Sequence, residues 1–397
     1  MMPITANLPK PLLPAGGKPF LQHLIEVLRS VNITEIYILT GFRQQAIKEY
    51  FGNGKKFDVK IKYLKQEERL GTAHAIGLGQ PYFKSDFICI NGDVLVTEKI
   101  IRDLLEYRKK HRATIMTLAK VEDPKGYGLV EVIGELVTDI VEKPDGPKSG
   151  FVNTGIYIFT PKIFKMINKT PLSKRGEYEI TDSLKMLLKQ AKVHGKKLTK
   201  SHNWMDISMP WDLLNVNELF LKDLKTDIQG KVEPYATLIG EVKVGKGTVI
   251  KNGSYIVGPV VIGENSDIGP NCLIRPSTTI GNKCKVGNAV EIKNSILMDN
   301  SNVPHHNYVG DSIIGSNCNL GSGTKIANLR LDDKNIKVVV KGELINTGRR
   351  KLGVIMGDNV KTGINSTINI GTIIGENTYI GPGAIVKGTI APNSVIY

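Results

Sequence analysis

The hydrophobic positions of this chain follow two different periods. In FLQHLIEVLRSV, Leu21, Leu24, Ile25 and Leu28 fall on one helical face. EIYILTGF reads as a short buried strand, FDVKIKYL alternates as a half-buried strand does, and DFICINGDV is a second apolar strand. IIRDLLEYRKKH predicts a helix with a basic last turn, which suits the negative end of the helix dipole. GLVEV and FVNTGIYIF add strands. PWDLLNVNELFLKDL predicts a helix opened by Pro210, where a missing N–H costs nothing. Strands alternating with helices predict a parallel α/β sheet.

Near residue 228 the period changes. Val244, Ile250, Ile256, Ile262, Ile268, Ile274, Ile280, Val286, Ile292 and Met298 recur at steps of six. Neither an α-helix nor a two-faced sheet repeats at six. A prism-shaped β-helix does, with one apolar residue pointing inward from each of three short faces per coil. Glycine follows many of these residues, as at Gly263, Gly269 and Gly281, where a Cβ would obstruct a corner. The step resumes at Ile314, Leu320 and Ile326, and again at Ile368, Ile374, Ile380 and Val386. Two interruptions are expected to form surface loops on a binding side: NVPHHNYVGD (302–311) and the polar, basic stretch 328–353. The expected division is one domain over 1–228 and a second over 229–397.

Composition narrows the classes. The net charge of +15 divides into +9 over 1–228 and +6 over 229–397, so it forms no basic block. That distribution reads as a Lys-rich solvated surface and also suits phosphate-bearing small molecules. No nucleic-acid recognition module or aromatic-basic patch is present, and no apolar stretch approaches the roughly 18 residues of a membrane span. No nucleic-acid or membrane partner is therefore expected. No export signal is visible, and the four cysteines (89, 272, 284, 318) form no CxxC pair. A zinc or disulfide framework is not expected, and a reducing cytoplasm is.

Candidate chemistry begins at the first residues. MMPITANLPKPLLPAGGKPF reads like the middle of a phosphate-handling loop. Asp93 follows an apolar strand, at the strand end where open α/β sheets place ligands, although Asn91-Gly92-Asp93 reads equally as a plain turn. His305 and His306 read either as loop histidines or as a base.

PITANLPKPLLPAGGKP, YLKQEERLGTAHAI, INGDV, GYGLV, IVEKPD, VNTGIYIF, RGEYEITD and WMDISMPWDL follow the order seen in sugar-1-phosphate nucleotidylyltransferases. LIRP, VEIKNSI, PHHNYVGD and IANLRLDDK resemble the acetyltransferase half of bifunctional GlmU-type enzymes. The chain is similar, over nearly its whole length, to the archaeal-type bifunctional family that makes UDP-N-acetylglucosamine. The resemblance implies a Rossmann-like nucleotidyltransferase domain (1–228), then a left-handed parallel β-helix of hexapeptide repeats (229–397) that forms a homotrimer. It implies two reactions: acetyl-CoA acylates glucosamine-1-phosphate, and the product attacks UTP, or dTTP in its place.

Site residues follow from the same resemblance. Asp93 and Asp206 would hold Mg²⁺, and Lys10 would contact phosphate from a loop stiffened by Pro9 and Pro11. Gln66, Gly71 and Thr72 match the segment that reads the base, although Thr72 reads otherwise as a helix cap. Gly128, Glu142, Lys143 and Asn153 match sugar-phosphate contacts. His305 and Tyr308 match the family's His-x-x-Tyr, with His305 as base and Tyr308 at the sugar phosphate. Arg275, Lys293 and Lys334 match a phosphate clamp, and Asn319 and Asn328 match amides near the acceptor and oxyanion. Charge alone suggests Arg349, Arg350 or Lys351 for the CoA phosphates.

The family begins with a strand and a Gly-x-Gly-x-Arg loop, and this sequence starts immediately after that arginine. Either the native protein is longer or the first domain has lost activity. On the first of these the 397-residue chain, taken literally, is expected to be severely impaired in nucleotidyl transfer. Two other readings stay open: a glucose- or mannose-1-phosphate nucleotidylyltransferase with a structural tail, and a non-enzymatic exchange-factor-like subunit.

Overall fold

A computed structural model describes residues 1–41, 43–143 and 149–397. It comprises two compact units: Leu21–Asp206, and Met1–Phe20 together with Ile207–Tyr397.

Besides the helices Phe20–Ser30, Gln44–Phe51 and Lys162–Ile167, the first unit contains β1 (Glu35–Thr40), β2 (Lys60–Lys65), α1 (Thr72–Gly77), β3 (Phe87–Ile90), β4 (Val94–Leu95), α2 (Glu98–Lys110), β5 (Thr114–Val121), β6 (Gly128–Ile133), β7 (Leu136–Glu142), β8 (Gly150–Phe159), α3 (Ile180–Leu188), β9 (Val193–Lys197) and β10 (Met205–Asp206). The main sheet has the order β3-β8-β5-β9-β7-β6, and β8 also bonds β6. β1 and β2 form a separate parallel pair. The sheet is mixed rather than parallel throughout: β9 runs parallel to β5, but β8 is antiparallel to β3, β5 and β6. The two-residue link Gly134–Glu135 explains part of this, since so short a connection permits only an antiparallel return. Met116, Leu118, Tyr157, Phe159 and Leu184 fill the core. α2 begins where the Thr97 hydroxyl accepts from the Ile100 N–H at 3.4 Å, and it buries Ile100, Ile101, Leu104 and Tyr107.

The second unit is a solenoid of three parallel sheets, with nine, nine and eight stacked strands. Val242–Val244, Val260–Ile262 and Thr278–Ile280 stack in register at steps of 18 residues, three sixes per coil. Their inward residues form one continuous core, each contributing about 1.5–3 kcal/mol of burial. The expected register fails at one place. Leu297, not Met298, pairs with Ile280 and joins the core column, and Met298 takes the corner that Gly281 occupies one coil earlier. The coil is one residue short between Ile292 and Leu297, and again between Val309 and Ile314. Hence 302–311 is no inserted loop. Asn302–His305 and Tyr308–Gly310 are regular coil strands, with Val303 and Val309 in the core.

The second interruption is an insertion. Lys337–Val340 and Glu343–Asn346 pair as an antiparallel hairpin, anchored by buried Ile336 and Val338. The opening residues belong to this unit too. The Gly16 N–H donates to Asn217 Oδ1 at 2.8 Å, and Asn217 also accepts from the Thr279 hydroxyl and donates to the Ser277 carbonyl. One fully buried amide thus ties the Gly-Gly turn, the helix Asp212–Leu221 and a coil together.

Candidate functional site

Two groups of predicted residues assemble, one in each unit. In the first unit Asp206 pairs with Val94, the neighbour of Asp93, so the two aspartates stand one residue apart in register on bonded strands. The turn holding Asp93 is fixed from behind: the Asn91 N–H donates to the Gly155 carbonyl at 2.9 Å. Gly155 has φ 76°, and a Cβ there would lie 2.5 Å from the Asn91 amide. Two carboxylates at one strand end form an oxygen donor set that fits Mg²⁺, which is bound through one or two carboxylates plus phosphates.

Gln66 continues β2 and donates to the Gly71 carbonyl at 3.4 Å, while its amide meets His74 Nδ1 at 3.0 Å. The Gly71–Thr72 segment is clasped by residues 178–180. The Ala73 N–H donates to the Tyr178 carbonyl, and the Tyr178 N–H donates to that of Leu70. Thr72 is not the cap of α1, a position that Gly71 holds. Its hydroxyl accepts instead from the Ile180 N–H at 3.0 Å, at the start of α3. Gly71 sits at φ 103°, with Tyr178 backbone atoms 2.6–2.7 Å from where a Cβ would be. Replacing Gly71 by alanine is expected to cost about 1–3 kcal/mol and raise the KM for nucleotide severalfold, checked by urea unfolding and steady-state kinetics. Unchanged stability and KM would refute the close approach.

Gly128, Glu142 and Asn153 converge. Gly128 pairs with Glu142, and a Cβ on it would meet Thr181 at 3.1 Å, Glu142 Oε2 at 3.2 Å and Asn153 at 3.7 Å. Asn153 donates to the Tyr157 hydroxyl at 2.5 Å. Among the described residues the buried Thr181 hydroxyl has no hydrogen-bond partner. Lys143 follows at φ 42°, exposed, with its N–H on the Tyr127 carbonyl. The IVEKPD motif ends in Pro144 and Asp145, which lie outside the described residues. Arg175, which no motif assignment singled out, joins Glu142 at 3.5 Å to Glu179 at 3.2 Å. Burial, and then the Glu142 charge, push the Glu179 carboxyl up, against the pull of Arg175. Lys10 belongs to the other unit, where it opens a short 3-10 turn, Lys10–Leu12.

In the solenoid, Asn294, Asp311 and Asn328 recur at steps of 17 residues, at the corners of the two shortened coils and the next one. Asp311, 3% exposed, takes Lys293 Nζ on Oδ2 at 3.1 Å. Oδ2 also accepts from Asn328 Nδ2 at 2.5 Å, and Oδ1 accepts from Asn294 Nδ2 at 2.9 Å. Asn328 Nδ2 is also 3.2 Å from the Tyr308 hydroxyl. Gly310 leaves room for that contact, because a Cβ there would lie 2.6–2.7 Å from both groups. Arg275 is one coil away and bonds Glu291 at 2.9 Å; Glu291 is in register with Tyr308, and Tyr308 with Lys325.

His305 ends its strand and His306 turns the corner at φ 50°, both exposed. Lys325 donates to the His306 carbonyl. Asn319 lies beside Asn302 on the face that carries His305, apart from the Tyr308–Asn328 group. Lys334 stands exposed in the insertion, its N–H on Asp332. Arg349 is engaged by Asn215 and Glu218, and Arg350 by Asp333. With Gly348 and Lys351, the residues Asn215, Glu218, Arg349 and Arg350 line an open pocket of about 370 Å³. Asp311 and Lys325 escaped the motif assignments; the 17-residue recurrence and the lysine in register with Tyr308 were the signals for them.

A Rossmann-like sheet with paired aspartates at a strand end, in one chain with a solenoid carrying a Tyr, Asn, Asp and Lys cluster, fits a two-part transferase. The nucleotidyl transferase family matches residues 1–223, and the GMPPB C-terminal domain family matches 256–396. Bifunctional protein GlmU of Methanocaldococcus jannaschii is 42% identical over 398 residues, covering 100% of this chain and 94% of its own. The bifunctional sugar-1-phosphate nucleotidylyltransferase/acetyltransferase of Sulfurisphaera tokodaii is 39% identical, covering 97% and 94%. Among solved structures, a putative glucose-1-phosphate thymidylyltransferase from Bacillus anthracis aligns at TM-score 0.52 and 30% identity, over 57% of this chain and 92% of that one. The chain belongs to the bifunctional GlmU family and is a nucleotidyl- and acetyl-transferase.

Proposed function

We propose that the chain makes UDP-N-acetylglucosamine in two steps, with residues 229–397 acetylating glucosamine-1-phosphate and residues 1–228 joining the product to UTP. The observation that carries the reading is the cluster in which Asn328 spans Tyr308 and Asp311 beside Lys293. His305 takes a proton from the sugar ammonium, and the freed amine attacks the thioester carbonyl of acetyl-CoA. The tetrahedral intermediate collapses with cleavage of the C–S bond, and the proton that its nitrogen sheds passes to sulfur, so that CoA leaves as a thiol. Asn319 and Asn328 are the amides for the acceptor and oxyanion. Arg275, Lys293 and Lys334 hold the sugar phosphate, and Tyr308 orients it. His305 is exposed in a single chain, so a homotrimer in which a second copy covers that corner completes the site.

In the second step a phosphate oxygen of N-acetylglucosamine-1-phosphate attacks the α-phosphorus of the nucleotide, and pyrophosphate leaves. Asp93 and Asp206 are the ligands for Mg²⁺, which when bound neutralises triphosphate charge. Gln66, Gly71 and Thr72 read the base, and Gly128, Glu142, Lys143 and Asn153 hold the sugar. No helix among the described residues is long and apolar enough to cross a membrane, and the cytoplasm is the proposed site of action.

The test runs the half-reactions separately. Acetyl-CoA consumption is followed with glucosamine-1-phosphate and galactosamine-1-phosphate, and pyrophosphate release with UTP and dTTP. The expected result is preference for the glucosamine ester and UTP, with Asp93→Asn abolishing pyrophosphate release alone. No acetyl-CoA consumption with either hexosamine phosphate would leave the solenoid a structural tail.

A further inference from the structure

Two histidines and a glutamate far apart in sequence meet at one end of the main sheet. His111 directly follows α2, Glu135 sits in the turn between β6 and β7, and His194 is the second residue of β9. One donor atom from each lies within 4.8 Å of the other two. His111 Nε2 is 3.3 Å from Glu135 Oε2, and the two imidazole rings are centred 4.2 Å apart. A tetrahedral zinc ion with bonds of roughly 2.0–2.1 Å sets its ligand atoms about 3.3 Å apart, so the nitrogen–oxygen edge already has the required length.

The position of the cluster separates it from the site described above. His194 pairs with Leu136, the first residue of β7, whereas Glu142 is the last, about 20 Å further along at the usual strand rise. Among the described residues the buried His194 Nδ1 has no hydrogen-bond partner. A buried imidazole nitrogen is rarely left so, and a bound ion would satisfy it. Tyr107 packs 4.4 Å from the His111 ring and walls one side. Charged neighbours include Arg108, which donates to the His111 carbonyl at 2.7 Å, Lys192, whose field reaches His194, and Lys196, whose ammonium lies over the Tyr107 ring. Glu135 supplies the compensating negative charge.

We propose that His111, Glu135 and His194 form a binding site for one divalent transition-metal ion of the zinc class, clipping the C-terminal end of α2 to the β6–β7 turn and to β9. Two imidazoles and a single carboxylate suit Zn²⁺ or Co²⁺, with water completing the shell. Ca²⁺ and Mg²⁺ would demand oxygen ligands throughout. The cysteine-based expectation of no zinc site does not reach this cluster, which contains no thiol and no short spacing.

The test uses the full chain stripped with chelator and then titrated with Zn²⁺ and with Co²⁺. Binding is followed by calorimetry, and Co²⁺ also by its visible absorption. The wild type is expected to take up one equivalent with that spectrum and to melt roughly 5 °C or more higher at a hundredfold excess over Kd. Glu135→Gln, at an exposed turn where misfolding is not a concern, and His194→Ala should each weaken binding at least tenfold and remove the shift. His305→Ala, in the solenoid, should leave both unchanged. Equal uptake by wild type, Glu135→Gln and His194→Ala, or uptake lost only in His305→Ala, overturns the site. A spectrum of six-coordinate Co²⁺ with no thermal shift does so too, reducing the cluster to a surface ion pair.

Discussion

Replacing His305 by alanine is expected to lower acetyl transfer by about 10²–10⁴-fold while leaving pyrophosphate release at its original rate. The reacting nitrogen of an amino sugar is protonated at neutral pH and nucleophilic only after losing that proton. A positioned imidazole supplies the missing step. His305 ends a coil strand, and its carbonyl accepts from the Gly323 N–H, so the backbone beneath it is fixed. An exposed side chain carries little packing, so the variant should unfold at the urea concentration of the wild type. The measurement is kcat for CoA release with glucosamine-1-phosphate, alongside the nucleotidyl half-reaction in the same preparation. His306→Ala serves as comparison, because that ring lies one residue round the corner. An acetylation rate within threefold of wild type for His305→Ala would remove this residue from the mechanism. A collapse in His306→Ala instead would transfer the role.

Removing the Asp311 carboxylate should affect stability and acetylation together. Asp311 is buried, and Lys293 is only 13% exposed. Asp311→Ala leaves that ammonium without its counter-charge and orphans one amide proton each on Asn294 and Asn328. Breaking one partner of a buried pair costs about 3–5 kcal/mol, far more than an exposed pair is worth. Acetylation should fall by roughly 10–100-fold, because the amide of Asn328 is aimed by Asp311. Asp311→Asn keeps the shape and separates the two effects. If charge compensation dominates, the double variant Lys293→Met/Asp311→Asn should recover stability that Asp311→Asn alone loses. Urea midpoints for the three variants, with acetyl-transfer kinetics, decide it. Asp311→Ala with wild-type kinetics and midpoint would show that the carboxylate neither compensates Lys293 nor positions Asn328.

How much of this was legible differs between the halves. The six-residue step was readable because each coil repeats the same steric demand: an apolar side chain inward, then a corner. It misled at Met298, where the coil loses one residue. Apolar residues at both 297 and 298 left the register ambiguous until strand pairing resolved it. The same shortened coil made 302–311 look like a loop. The Asn294–Asp311–Asn328 column has a linear trace, but its spacing of 17 falls outside the step of six. In the first unit the helix faces were readable, whereas strand direction was not, since alternation of side chains is identical in parallel and antiparallel sheets.

By itself, the order of residues determined the two periods, the change near residue 228 and the short motifs of both halves, because these depend on neighbours a few positions apart. Tertiary structure alone decided which groups share a site. Arg175 reaches Glu142, Gly16 reaches Asn217, and His111 meets Glu135 and His194, across gaps in the chain that no local pattern encodes. Such meetings depend on how strands and coils stack, which sets the neighbours of residues far apart in the chain.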